Sequence, residues 1–239
     1  MEEQEAFWKE WLTRSFGWEQ NQDNARRGAC VLREIERHKE SNLKILDVGC
    51  GTGWLSKELQ KYGEVTATDL ASRVIQGTKE RFPEIKWVAG DFLQVDLPES
   101  YFHIVTCLET IAHVSDQSAF ASKIAKVIKL HGSLILTTQN EYVWKRTSWL
   151  KPPGKGQIRN WPSRKGLKEL FQPYFIIEKI FTCAPGGDQS FPWIFNNRVS
   201  IGFWSRLLGK DQYVGIREKI GLGKSIVLVA RRSPHLTER

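Results

Sequence analysis

From Lys44 onward, short runs rich in β-branched and aliphatic residues alternate with segments whose apolar residues recur every three or four positions. The runs predict strands at KILDVG (44–49), EVTATD (64–69), IKWVAG (85–90), FHIVTCL (102–108), GSLILTT (132–138), YFIIEKIFT (174–182) and SIVLVARR (225–232). The longer period predicts amphipathic helices at WLSKELQKY (54–62), ASRVIQGTKERF (71–82), DQSAFASKIAKVIK (116–129) and SRKGLKELF (163–171). Asp116 and Ser163 stand where N-caps are expected. Alternation of this kind builds a mostly parallel sheet with helices on its faces.

Three segments fall outside that rhythm: 1–43, helical by pattern; 139–162, with Pro152, Pro153, Gly154, Gly156 and Pro162; and 184–222, with Pro185, Gly186, Gly187 and Pro192. They hold eight of the ten tryptophans, Trp8, Trp11, Trp18, Trp144, Trp149, Trp161, Trp193 and Trp204, so they either line a pocket or form the small core that packs these flaps on the sheet. No tandem repeat or low-complexity tract interrupts the chain, and its 239 residues predict one α/β domain with insertions. The expected division is an N-terminal helical cap over 1–43 and a domain over 44–239 with lids at 141–162 and 184–222.

Charge changes this picture in one place. The net +8 is concentrated in residues 140–239, with 18 basic against 7 acidic groups, and 143–168 holds Lys145, Arg146, Lys151, Lys155, Arg159, Arg164, Lys165 and Lys168 with no acid. That stretch reads either as a site for an anionic partner or as a solvated surface. Cys30, Cys50, Cys107 and Cys183 form no CxxC pair and have no histidine at a zinc-ligand spacing, so a reducing cytoplasm is expected and a metal is not. The start, MEEQEAFWKEW, lacks the basic and apolar regions of a signal peptide, and no apolar run approaches a membrane span, so a soluble protein is expected.

The candidate chemistry begins at LDVGCGTGWL, between the first strand and the first helix of the alternating region. A glycine-rich turn there lets backbone approach a ligand and aims the helix N-terminus at it. A dinucleotide fingerprint needs a third glycine three residues after the second, yet Trp54 occupies that position after Gly49, Gly51 and Gly53. The ligand expected is therefore one without a pyrophosphate.

These residues resemble the class I S-adenosylmethionine (SAM) dependent methyltransferases, whose first motif, hhD-x-G-x-G-x-G, is matched from Ile45 to Gly53. Asp69 at the end of the second strand, Gly90-Asp91-Phe92 after the third, FHIVTCLETIAHV (102–114) and LHGSLILTTQN (130–140) follow in the family's order, so the resemblance covers about residues 43–140. It implies a Rossmann-like, seven-stranded, mostly parallel sheet with helices on both faces, the last strand antiparallel, and helical or loop lid insertions. SAM is the implied cofactor and S-adenosyl-L-homocysteine the product. Its implied contacts are Asp47, Gly49, Cys50, Gly51, Gly53, Asp69, Leu70, Asp91, Phe92 and Leu108, with Asp47 supporting the loop and the amino group, Asp69 taking the ribose hydroxyls and Asp91 meeting the adenine amino group. Leu70-Ala71 departs from the pair many relatives carry, which touches adenine packing.

Transfer from a sulfonium is an in-line displacement, so positioning and exclusion of water dominate, with a base needed for a hydroxyl or protonated amine. CLETIAHV resembles the C-M-E-V-L-E-H-V stretch of ubiquinone-biosynthesis O-methyltransferases, with Ala112 in place of an acid. On that match His113 is either the base or a residue that only positions its loop, and Glu109 reaches the acceptor or the SAM amino group, or else lies on the surface. The later segments resemble, more loosely, methyltransferases of polysaccharide, glycolipid and secondary-metabolite synthesis. They imply a small-molecule acceptor, with Trp18, Asn140, Tyr142, Arg159 and Trp161 as expected contacts and Arg159 and Arg164 placed to hold an anionic group. RNA or protein methylation through the basic stretch and a non-catalytic SAM-binding regulator stay open as alternatives; no RNA-binding module is visible, and the asparagine-proline tetrapeptide of nucleobase N-methyltransferases is absent after Cys107.

Overall fold

In the computed structural model, which describes residues 2–14 and 22–234, seven strands form one sheet. They are β1 (Leu43–Val48), β2 (Gly63–Asp69), β3 (Lys86–Ala89), β4 (Phe102–Leu108), β5 (Ile128–Gln139), β6 (Phe175–Pro185) and β7 (Gly223–Arg232). Their order is β3-β2-β1-β4-β5-β7-β6. β1 pairs in parallel with β2 and β4, as do β2 with β3 and β4 with β5, whereas β7 runs antiparallel to β5 and β6. The seven strand candidates and the reversed last strand are all present. β5 begins at Ile128, inside the segment expected to be helical, because the β-branched pair Val127-Ile128 ends the helix and Ile128 takes an extended backbone.

The alternation of side chains across β1, β4 and β5 divides the core in two. Leu46, Val48, Val105, Cys107, Leu134 and Leu136 face one cluster, which is closed by α5 (Gln117–Val127) and α7 (Arg164–Phe171). Leu43, Ile45, Ile104 and Ile135 face the other, closed by α2 (Gln22–Ile35), α3 (Trp54–Leu59) and α4 (Ser72–Arg81). The two caps form as the sequence predicts: Asp116 accepts from the Ala119 amide at 2.8 Å and Ser163 from the Gly166 amide at 3.1 Å.

The N-terminal segment is not uniform. α2 is part of the domain, with Val31 and Ile35 fully buried against the sheet, and Gly28 leaves room for the Trp54 indole, whose Cη2 would lie 2.4 Å from an added Cβ. α1 (Glu2–Arg14) instead lies across α4 and the 150–162 segment: Ser72 Oγ donates to Glu5 at 2.5 Å, Lys155 pairs with Glu3 at 2.9 Å, and a Cβ on Gly156 would fall 2.2 Å from the Glu3 carbonyl oxygen. After β5 come α6 (Glu141–Trp144) and an irregular stretch. Between β6 and β7 lie α8 (Ser190–Asn196), α9 (Arg198–Leu208) and α10 (Lys210–Lys219). α10 is anchored through Glu218, which receives Arg26 at 2.6 and 3.0 Å and the Ala184 amide at 2.9 Å.

Candidate functional site

A cavity of about 800 Å³ opens at the carboxyl ends of the parallel strands, where β1 and β4 send their connections to opposite faces. At one end is the glycine loop. Gly49 and Gly53 adopt φ of 72° and 73°, and a Cβ would fall 2.0 Å from Thr110 Oγ1 at the first and 2.5 Å from Trp87 Cη2 at the second. Gly53 therefore packs helix against strand and does not line the cavity, whereas Gly49, Cys50 and Gly51 do. The Gly49 and Cys50 amides donate to the Thr68 carbonyl at 2.7 and 3.1 Å, which ties the loop to β2.

Three carboxylates border this end. Asp47 is buried and accepts from Ser56 Oγ at 2.6 Å and Thr106 Oγ1 at 2.9 Å. Burial pushes its pKa up to about 6, against those hydroxyls, which favour the charged form. Asp69 accepts from the Gly51 amide at 2.8 Å and the Ala71 amide at 2.9 Å, and burial raises its pKa as well. Asp91 accepts from the Leu93 amide at 3.0 Å. All three face the cavity and accept from hydroxyl or amide donors, with Lys123 near Asp91. Leu70, Phe92 and Leu108 complete this wall.

The middle of the cavity holds a strained backbone position. Glu109 has φ of 61°, an uncommon conformation for a residue with a Cβ. It is not on the surface: Thr137 Oγ1 donates to its carboxylate at 2.9 Å and Arg27 Nε lies 3.6 Å away. Beside it, Ile111–His113 form a 3-10 turn. His113 Nδ1 lies 2.7 Å from the Ile158 carbonyl, which can only accept, so Nδ1 carries the proton and Nε2 presents a lone pair. Gln139 Nε2 stands 3.3 Å from that lone pair, and Trp8 meets the ring edge-on at 4.6 Å. Burial holds the His113 pKa down at about 4, so the imidazole is neutral at pH 7.

The far end is aromatic and basic. Trp144, Trp149 and Trp161 line it, with Arg159 placed 5.8 Å over the Trp161 ring, together with Lys151 and with Lys224, which pairs with Asp23; Trp8 and Trp11 line the wall beside His113. Trp144 Nε1 is satisfied by the Lys224 carbonyl at 2.9 Å. Two buried polar atoms here have no partner among the described residues: Gln139 Oε1, an acceptor, and Trp161 Nε1, a donor.

The expected acceptor contacts divide. Arg159 and Trp161 line the cavity; Asn140 and Tyr142 do not. The Asn140 amide is buried and donates to the Gly221 and Gly223 carbonyls at 3.2 and 2.8 Å, and Tyr142 stacks under Arg146 at 4.1 Å. Trp18 lies outside the described residues. Arg164 opens α7 and is not in the wall, and no described residue of 184–222 is either; α10 packs that insertion on β6. Arg27, Gln139 and Lys224 were not singled out from sequence. Gln139 could have been found as the last residue of β5, at the strand ends where ligands gather, whereas Arg27 on α2 gives no local signal.

Residues 46–136 match the family model described as a methyltransferase domain. Over 125 residues the chain is 35% identical to the ubiquinone biosynthesis O-methyltransferase of Idiomarina loihiensis, covering 48% of this chain and 50% of that one. The enzyme of the same name from Rhodopseudomonas palustris is 32% identical over 131 residues, again covering 50% of each. The chain thus spans about half the length of these curated relatives. Among solved structures, the N-methyltransferase NodS of Bradyrhizobium japonicum, in complex with S-adenosyl-L-homocysteine, superposes with a TM-score of 0.64 at 16% identity over 95% of this chain and 99% of that one. A SAM-dependent methyltransferase from Mesorhizobium loti superposes with a TM-score of 0.63 at 15% identity over 86% and 98%.

Proposed function

From a chain that carries a class I SAM-dependent methyltransferase domain, we propose methyl transfer from SAM to a small-molecule acceptor, an O-methylation of a sugar, glycolipid or other secondary metabolite. The observation that carries the reading is the division of one cavity into an acidic end around the glycine loop and an aromatic, basic end, with His113 and Glu109 between them.

The residues present fit the cofactor. SAM, when bound, supplies a methyl carbon activated by a sulfonium. Asp47 and Asp69 offer negative charge held by hydroxyl and amide donors, and Asp91 adds a carboxylate near Lys123, an acidic surround that suits a cationic ligand. The Asp69 carboxylate accepts backbone amides of Gly51 and Ala71, with Leu70 close by, and has lone-pair capacity left for a ribose hydroxyl. Gly51 has only Leu12 Cδ2, at 3.3 Å, near the position of a Cβ, so backbone is open to the ligand there. Leu70, Phe92 and Leu108 supply apolar cover for the adenine ring.

On the acceptor side, the orphaned Gln139 Oε1 and Trp161 Nε1 favour a ligand that brings both a donor and an acceptor, since buried polar groups are costly to leave unpaired. The His113 lone pair faces Gln139 Nε2, so an acceptor hydroxyl that donates to it takes the place of that contact. With a pKa near 4 it is a weak base, so it orients the hydroxyl first and takes the proton as the new bond forms. Glu109 lies beside Arg27, and this pair sets the charge between the two ends. The tryptophans exclude water from the transfer, and Arg159 offers charge to an anionic substituent.

The basic stretch favours a macromolecular acceptor less than its composition implies: Lys145, Lys155 and Lys165 pair with Glu141, Glu3 and Glu169. Calorimetric titration with SAM tests the cofactor half directly. Wild type is expected to bind one equivalent, and Asp69→Ala to bind more weakly by about 1.5–3 kcal/mol, the scale of hydrogen bonds to a charged group. Undiminished affinity in that variant would remove Asp69 from the site.

A further inference from the structure

The insertion 184–222, which does not line the cavity, presents an apolar surface of its own. Nine of the thirteen exposed large apolar side chains among the described residues fall between Phe191 and Ile220. Along α9, Val199, Phe203 and Leu207 recur at every fourth position and are exposed by 82%, 60% and 64%. No residue of this helix is buried. Just before it, Phe191, Trp193 and Ile194 of α8 are about half exposed. A helix of a soluble protein turns such a stripe toward a core and its charges toward water, whereas here the stripe faces out.

The charges beside it are of one sign. Residues 189–210 contain Arg198, Arg206 and Lys210 and no acid. We propose that the α8–α9 face docks on an anionic lipid bilayer, lying in the interface with its apolar stripe inserted and its basic side chains at the headgroups. The composition fits that occupant: aromatic and aliphatic side chains on one face, arginine and lysine flanking it. A second copy of the chain fits less well, because a two-fold contact would bring the bases of the two faces together with no acid to meet them. No helix among the described residues is long and apolar enough to cross a membrane, so this is attachment at a surface.

The face is also continuous with the cavity rim. The Asp188 and Gln189 amides donate to the Arg146 carbonyl at 3.0 and 3.2 Å, and the Ser148 amide donates to Asp188 at 2.7 Å. These bonds set the start of α8 beside the loop that carries Trp149, a cavity-lining side chain that is itself 61% exposed. Docking on α8–α9 brings that rim to the lipid boundary.

Flotation of the full chain with vesicles of phosphatidylcholine alone, and of phosphatidylcholine with phosphatidylglycerol, tests the proposal. The chain is expected to float with the anionic vesicles, to lose binding as salt is raised, and to bind the neutral vesicles at least about tenfold more weakly. The double variant Val199→Glu, Phe203→Glu is expected to lose about tenfold or more in binding to anionic vesicles. It should keep the thermal midpoint and SAM affinity of wild type, since both side chains project into solvent. Absence of flotation with either vesicle would overturn the proposal, and so would equal binding by the double variant. A dimer in sedimentation velocity that the same substitutions convert to monomer would also overturn it, by assigning the face to a second copy.

Discussion

Asp47 shows how a single side chain links the fold to the chemistry. It is held by two hydroxyls in a dry position, and burial raises its pKa to about 6. A carboxyl whose folded pKa lies above its unfolded value stabilises the fold when protonated. Its contribution is fully present below pH about 4 and is lost as pH rises to about 6, a change on the order of 3 kcal/mol. Urea unfolding of the ligand-free protein between pH 4 and 7 is expected to show this loss, and Asp47→Asn to remove most of it. The same shift gives SAM binding a sign. A cation beside Asp47 favours the carboxylate, so affinity should rise with pH through about 6 and then level off, and calorimetry in buffers of different ionisation heat should detect proton release below that point. Asp47 could be read from its place before the glycines; its high pKa could not, because it comes from burial by packing around the strand end, against the hydroxyls of Ser56 and Thr106. His113 is similar. Its place in the cavity follows from the fourth-strand motif, but its tautomer is set by Ile158, 45 residues later.

Among the elements, those with a core to face were legible and those without were not. The central strands bury both faces and α3, α4, α5 and α7 one each, and burial is what the apolar runs and period record. α9 packs on α8 and α10 but buries no residue, and its segment, with Pro185, Gly186, Gly187 and Pro192 at its start, falls outside the alternating pattern, so its helices were not legible. The caps have a measurable weight: Asp116→Ala is expected to lower stability by about 1 kcal/mol, read from the urea midpoint. α1 depends on one glycine. Gly156 has φ of 80° and touches Glu3 backbone, so Gly156→Ala should loosen α1 from the lid and speed exchange of its amide hydrogens at least about tenfold, with little change in the protection of the sheet. Gly202→Ala, which meets nothing within 4 Å, is the control expected to change neither.

For the molecule as a whole, the sheet order places a cofactor-sized space where β1 and β4 diverge, and the acidic residues at the strand ends give it a polarity. That half of the site follows from contiguous motifs within residues 45–114. The acceptor half is assembled from α1, α2, β5 and the 144–161 segment, elements far apart in sequence that meet only in the fold, which is why Arg27, Gln139 and Lys224 went unnoticed while Asn140 and Tyr142 were drawn in by proximity to β5. The central claim is that this divided cavity transfers a methyl group to a small molecule. Its most direct test is incubation of the protein and methyl-labelled SAM with cell extract, followed by separation into lipid, small-molecule, RNA and protein fractions. Label is expected in the lipid or small-molecule fraction, and to fall with Asp69→Ala. Label confined to RNA or protein, or SAM binding with no transfer to any fraction, would contradict the account.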